Sequence, residues 1–107
     1  MSKFFKEIET NMDVEFLQKL DEARAYAGIP FIINSAYRSP EHPESIKNPT
    51  SSHIKGLAVD IRAMDSATRF IILDALMVVG FRRIGVAKNF IHVDNDMDKT
   101  QNLVWLY

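Results

Sequence analysis

The sequence predicts a single α+β domain in which a small, mostly antiparallel sheet packs with two main helices. Three observations predict it. Two segments repeat apolar residues at a helical period, several short runs alternate apolar with polar residues as strands do, and the elements follow one another as helix, strand, loop, strand, helix, hairpin. The chain has 107 residues, which suits one domain over positions 1–107. With 47% of its residues hydrophobic, it can build one compact core.

The first helix is expected over Val14 to Ala27. Val14, Phe16, Leu17, Leu20, Ala23 and Ala27 approximate a 3.6-residue repeat, Asp13 is the N-cap, and Gly28-Ile29-Pro30 ends the helix. "FIINSAYR", from Phe31, reads as a buried strand. From Ser39 to Ser52 the composition changes to four Ser and three Pro, with Ile46 as the one large apolar residue. That marks a long loop, and a long loop in so small a domain points to function. Leu57 to Arg62 alternates: Leu57, Val59 and Ile61 face one way, and Ala58, Asp60 and Arg62 the other. Ser66 to Val79 reads as the second helix, capped by Asp65 or Ser66 and stopped by Gly80. Phe81 to Val86 and Phe90 to Asp94 form a hairpin around "AKN". The tail "LVWLY" is either a last strand or a packed extension.

Composition narrows the chemistry. A formal net charge of −1 and the absence of a basic stripe argue against nucleic-acid binding, and Arg82 and Arg83 stand as an isolated pair. The chain has no cysteine, so a transition-metal site must use His and carboxylates. "MSKFFKEIETNMD" is too charged for a signal peptide, and "FIILDALMVVGF", interrupted by Asp74, is too short to span a bilayer. A soluble monomer made in the cytoplasm without a signal peptide is expected, with no membrane insertion.

"SSHIKGLAVDIRA" (Ser51 to Ala63) sets a histidine, a glycine and an aspartate inside an apolar stretch. His53 and Asp60 differ in parity, and Gly56 can supply the bend that turns them together. Phe90, His92 and Asp94 share one strand face. If the two strands are neighbours, His53, Asp60 and His92 converge. Two imidazoles and a carboxylate suit zinc and leave a position for water, whose pKa the metal lowers. The spacing alone is unspecific, and a lone histidine on a strand is more often an ordinary surface or core residue.

"SAYRSPEH", "SSHIKGLAVDIR" and "RIGVAKNFIHVD" together resemble the zinc D-Ala-D-Ala carboxypeptidase family. That family includes phage endolysins that cut L-Ala–D-Glu bonds, and it shares its fold with the hedgehog signalling domain. Its pattern of Tyr-Arg-Ser, Ser-x-His-x-x-Gly-x-Ala-x-Asp and a late His is met by Tyr37-Arg38-Ser39, by Ser51, His53, Gly56, Ala58 and Asp60, and by His92. The resemblance implies that His53, Asp60 and His92 ligate Zn2+. It implies that Arg38 binds a substrate carboxylate or stabilises an oxyanion; the alternative is a surface arginine paired with Glu41 or Glu44. Ser51 orders the loop or contacts substrate. Many members carry an acid three residues before the late His, where this chain has Asn89. Asp94 is then a candidate base, or else it orients a ligand histidine or pairs with Arg62 or Arg38. His42 and Glu41 are weaker candidates for that base, and His42 is most simply a solvated loop residue.

Asn95, Asp96, Asp98 and Lys99 read as a solvated turn. Trp105 and Tyr107 either line a groove or, the preferred reading, close the small core. The expected function is zinc-dependent hydrolysis of a peptide bond in a peptidoglycan stem peptide, at the cell wall after release or delivery. The alternative is an inactive, zinc-stabilised module that binds peptide or wall.

Overall fold

The computed structural model describes residues 2–107. It contains α1 (Val14–Ala27), β1 (Ile33–Ser35), α2 (Pro43–Lys47), β2 (Ala58–Arg62), α3 (Ser66–Val78), β3 (Arg83–Val86), β4 (Phe90–Asp94) and β5 (Leu103–Leu106), preceded by a short 3-10 turn at Lys6–Ile8. The five strands form one sheet in the order β1-β2-β4-β3-β5. All neighbours are antiparallel except β3 and β5, which run parallel, so the α+β expectation holds while the sheet is mixed. Among the described residues, no helix is long and apolar enough to cross a membrane.

Local chemistry accounts for the helix ends. The Asp13 carboxylate accepts from the Phe16 N–H at 2.9 Å, and Asp65 accepts from the Thr68 N–H at 2.8 Å, each satisfying a donor that the first turn leaves free. The apolar stripe of α1 buries Phe16, Leu17, Leu20 and Ala23. It packs on α3, whose Ile72, Ala75 and Leu76 are buried. Both helices cover one face of the sheet, where Val59, Ile61, Ile84, Ile91 and Val93 complete the core. The alternation in the strands leaves the other parity, including Asp60, Gly85 and His92, on the opposite face. Apolar residues therefore form the core on one side of the sheet and polar chemistry collects on the other.

Three local expectations change. The strand begun at Phe31 is reduced to three residues, Ile33–Ser35, with a register irregularity against β2. The Ser39–Ser52 loop contains α2, capped by His42, whose Nδ1 accepts from the Glu44 N–H at 3.1 Å. His42 is thus a helix cap rather than a free loop residue. The hairpin turn is two residues, Lys88-Asn89, because the Ala87 N–H donates to the Phe90 carbonyl at 2.9 Å.

Candidate metal centre

Asp60 and His92 are direct partners across β2 and β4. Both lie in mid-strand, so two ladders fix their backbones. His53 comes from the turn before β2. The Gly56 N–H donates to the His53 carbonyl at 3.2 Å and closes that turn. Gly56 has φ +70°, and a side chain there would collide with the Asn11 carbonyl oxygen, so glycine alone fits. This bend brings His53 to Asp60 despite their opposite parity.

His53 Nε2 lies 3.4 Å from Asp60 Oδ1, and His92 Nδ1 lies 3.0 Å from the same oxygen. One donor atom from each of the three residues falls within 4.8 Å of the others. The remaining ring nitrogens assign the tautomers. His53 Nδ1 is 2.8 Å from the Ala36 carbonyl, which can only accept, so Nδ1 carries the proton. His92 Nε2 is 2.7 Å from Asp94 Oδ2, and a carboxylate likewise takes its proton. In the neutral rings, both lone pairs then face Asp60. Three electron-rich atoms gather where a cation can join them, and two imidazoles with one carboxylate suit zinc while leaving a position free.

Within the cluster, carboxylates and imidazoles shift one another in opposite directions. Burial raises the Asp60 carboxyl, but the two imidazoles, which donate to it once their facing nitrogens are protonated, outweigh burial and hold the group at about 2. Burial lowers His92, yet Asp60 and Asp94 outweigh it and raise the imidazole above its ordinary value.

Asp94 is 1% exposed. Its Oδ1 accepts from Arg83 Nε at 2.8 Å and from the Asp96 N–H at 3.1 Å, while Oδ2 accepts from His92. Of the alternatives the sequence offered, Asp94 does orient a histidine, His92, and its ion-pair partner is Arg83 instead of Arg62 or Arg38. Arg83 is directly opposite Asp94 in the ladder, with Nη1 donating to the Thr100 carbonyl at 2.6 Å. The sequence reading missed Arg83. Its strand parity matched that of the polar face, but identifying its partner required the hairpin register.

Arg38 and Ser51 also line the open cleft of about 260 Å³ above the cluster. Arg38 Nη2 donates to Ser35 Oγ at 2.9 Å, and the Arg38 N–H donates to the His53 carbonyl at 3.2 Å. Among the described residues its guanidinium pairs with neither Glu41 nor Glu44, and it lines the cleft. Ser51 Oγ accepts from the His53 N–H at 3.2 Å, which orders the turn that carries His53.

A second network braces this turn. Ser52 Oγ donates to Asp96 Oδ2 at 2.8 Å, Lys99 Nζ donates to Ser52 Oγ at 2.9 Å, and Lys55 Nζ donates to Asp96 Oδ1 at 3.0 Å. Within the expected solvated turn, Asp98 is exposed but Asp96 is 1% exposed and clamps the His53 segment. Trp105 and Tyr107 do not close the core. They line the cleft, with the Trp105 ring 5.5 Å from that of His92.

A family model described as Peptidase M15 matches residues 2–94. The chain belongs to the M15 peptidase family, the zinc D-Ala-D-Ala carboxypeptidase-like group. No curated protein and no solved structure matches the chain significantly. M15 peptidases depend on zinc, and this M15 domain carries a His53, Asp60, His92 cluster able to bind a metal. The matched segment contains all three residues together with Arg38, Ser51 and Asp94. It stops before β5, so Trp105 and Tyr107 lie outside it.

Proposed function

We propose that this M15 domain hydrolyses a peptide bond in the stem peptide of bacterial peptidoglycan, as a carboxypeptidase or an endopeptidase of the phage endolysin type, acting at the cell wall. One observation carries the reading. The Ala36 carbonyl and Asp94 occupy the outer nitrogens of His53 and His92, and this turns both lone pairs onto the side of Asp60. The set His53, Asp60 and His92 would hold the zinc. Bound there, zinc supplies a Lewis acid that polarises a carbonyl and lowers the pKa of water.

The other residues bind and orient. Arg38 offers its unused donors to a substrate carboxylate or to the developing oxyanion. Ser51 keeps the His53 turn in shape at the rim of the cleft. Asp94 positions His92; with both oxygens already accepting, it is better placed to hold the ring than to take a proton from water.

A specific observation also favours the binding-module alternative. Asn89 is exposed in the hairpin turn, and the only carboxylates lining the cleft among the described residues are Asp60 and Asp94. Digestion of purified peptidoglycan by zinc-loaded protein separates the two readings. Release of new amino groups by wild type and none by His92→Ala supports the peptidase. Wall binding without release supports the module. Mass spectrometry of the fragments identifies the bond.

A further inference from the structure

The cleft has two unlike ends. Register places Ser35, Asp60, His92, Gly85 and Trp105 in one row across all five strands. Arg38, bonded to Ser35, stands at the β1 end and the aromatic rings stand at the β5 end. We propose that Trp105 and Tyr107, seated over Gly85, form a subsite for an apolar, aliphatic side chain of a peptide, next to the bond to be cut. The proposal rests on the peptidase reading.

Gly85 has no side chain, and the rings occupy the space one would fill. A Cβ at Gly85 would lie 2.5 Å from Trp105 Nε1 and 2.7 Å from Tyr107 Cε2. The rings are thereby brought down beside His92 and form an apolar floor. Phe90 extends it, with its ring 5.1 Å from Tyr107. These rings are not spent on the core: Tyr107 is 66% exposed and Trp105 is half-buried. The cations at this end are engaged. Arg83 is bound to Asp94 and the Thr100 carbonyl beneath the Trp105 ring, 5.0 Å from its centre, and Lys99 is bound to Ser52 and Asp96. An acidic side chain would therefore meet ring faces and committed cations here, and an aliphatic one would bury apolar surface. The open guanidinium of Arg38 takes the polar end of the same peptide.

The chain has one tryptophan, so Trp105 emission reads this subsite without turnover. Zinc-loaded protein is titrated with a blocked L-alanyl-D-alanine dipeptide, a blocked L-glutamyl-D-glutamate dipeptide and N-acetylglucosamine. Saturable change with the alanine peptide, at a concentration about tenfold below that needed with the glutamate peptide, is expected. Equal responses to both peptides, a response to the sugar alone, or none to any probe overturns the subsite. In peptidoglycan digestion, Trp105→Ala is expected to raise KM about tenfold with kcat near wild type, and Trp105→Phe to restore most of the loss. Unchanged KM in Trp105→Ala overturns the subsite and leaves His92-dependent cleavage standing. If wild type cleaves nothing, the peptidase reading falls and the emission titration still decides the subsite.

Discussion

At the scale of single residues, Asp94 ties the sheet to the candidate metal centre. It joins Arg83 on β3 to His92 on β4 and keeps the Nδ1 lone pair of His92 turned toward Asp60. Asp94→Asn preserves the shape but removes the charge that favours this tautomer. Its zinc affinity should fall about 10- to 100-fold, measured by competition with a chelating dye. Asp96 makes a separate prediction. Burial raises its carboxyl, but bonds from Lys55, Ser52 and the Asp98 N–H outweigh that and hold it below the usual carboxylate range. A carboxylate favoured in this way by the fold adds stability that is complete above its unfolded pKa of about 4 and is lost as pH falls through its lower folded value. Asp96→Asn should therefore unfold more easily at pH 7, by about 2 kcal/mol, and lose less stability than wild type on acidification below about pH 4. Denaturant titrations at a series of pH values check both. The sequence exposed His53, Asp60 and His92 through parity and motif. It concealed Asp96, because short-range polarity resembles a solvated turn when the partners that hold it in place, Ser52 and Lys55, lie close to it only in three dimensions.

At the scale of elements, the site depends on two turns. The Gly56 turn carries His53 to β2, and Gly56→Ala would meet both a left-handed backbone and the Asn11 carbonyl. Loss of more than about 1 kcal/mol of stability is expected, together with weaker zinc binding, read by thermal melts with and without metal. The Lys88-Asn89 turn sets the β3–β4 register and so pairs Arg83 with Asp94. The helices and the alternation of β2 and β4 were legible because each is a local pattern. The register was not: a turn one residue longer reverses the parity of every pair, and "AKN" does not declare its length. The parallel docking of β5 on β3 was hidden for a related reason, since a strand's partner is chosen by packing across the sheet and not by its own residues.

At the scale of the whole molecule, two helices on one face of the sheet form a core that supports chemistry on the other. Phe16 is fully buried against Phe81, with ring centres 5.7 Å apart. Phe16→Ala should cost about 3–5 kcal/mol in urea unfolding, with zinc stoichiometry unchanged in the fraction that remains folded. Membership of the M15 family was legible because three motifs occur in order across the chain, whereas Trp105 and Tyr107 of the cleft lie beyond the matched segment. The central claim is that His53, Asp60 and His92 together hold one divalent cation. Calorimetric titration of zinc into chelator-treated protein tests it most directly. The account predicts one zinc per wild-type chain and no measurable binding by a folded variant with all three residues replaced by alanine. Equal binding by that variant would contradict it.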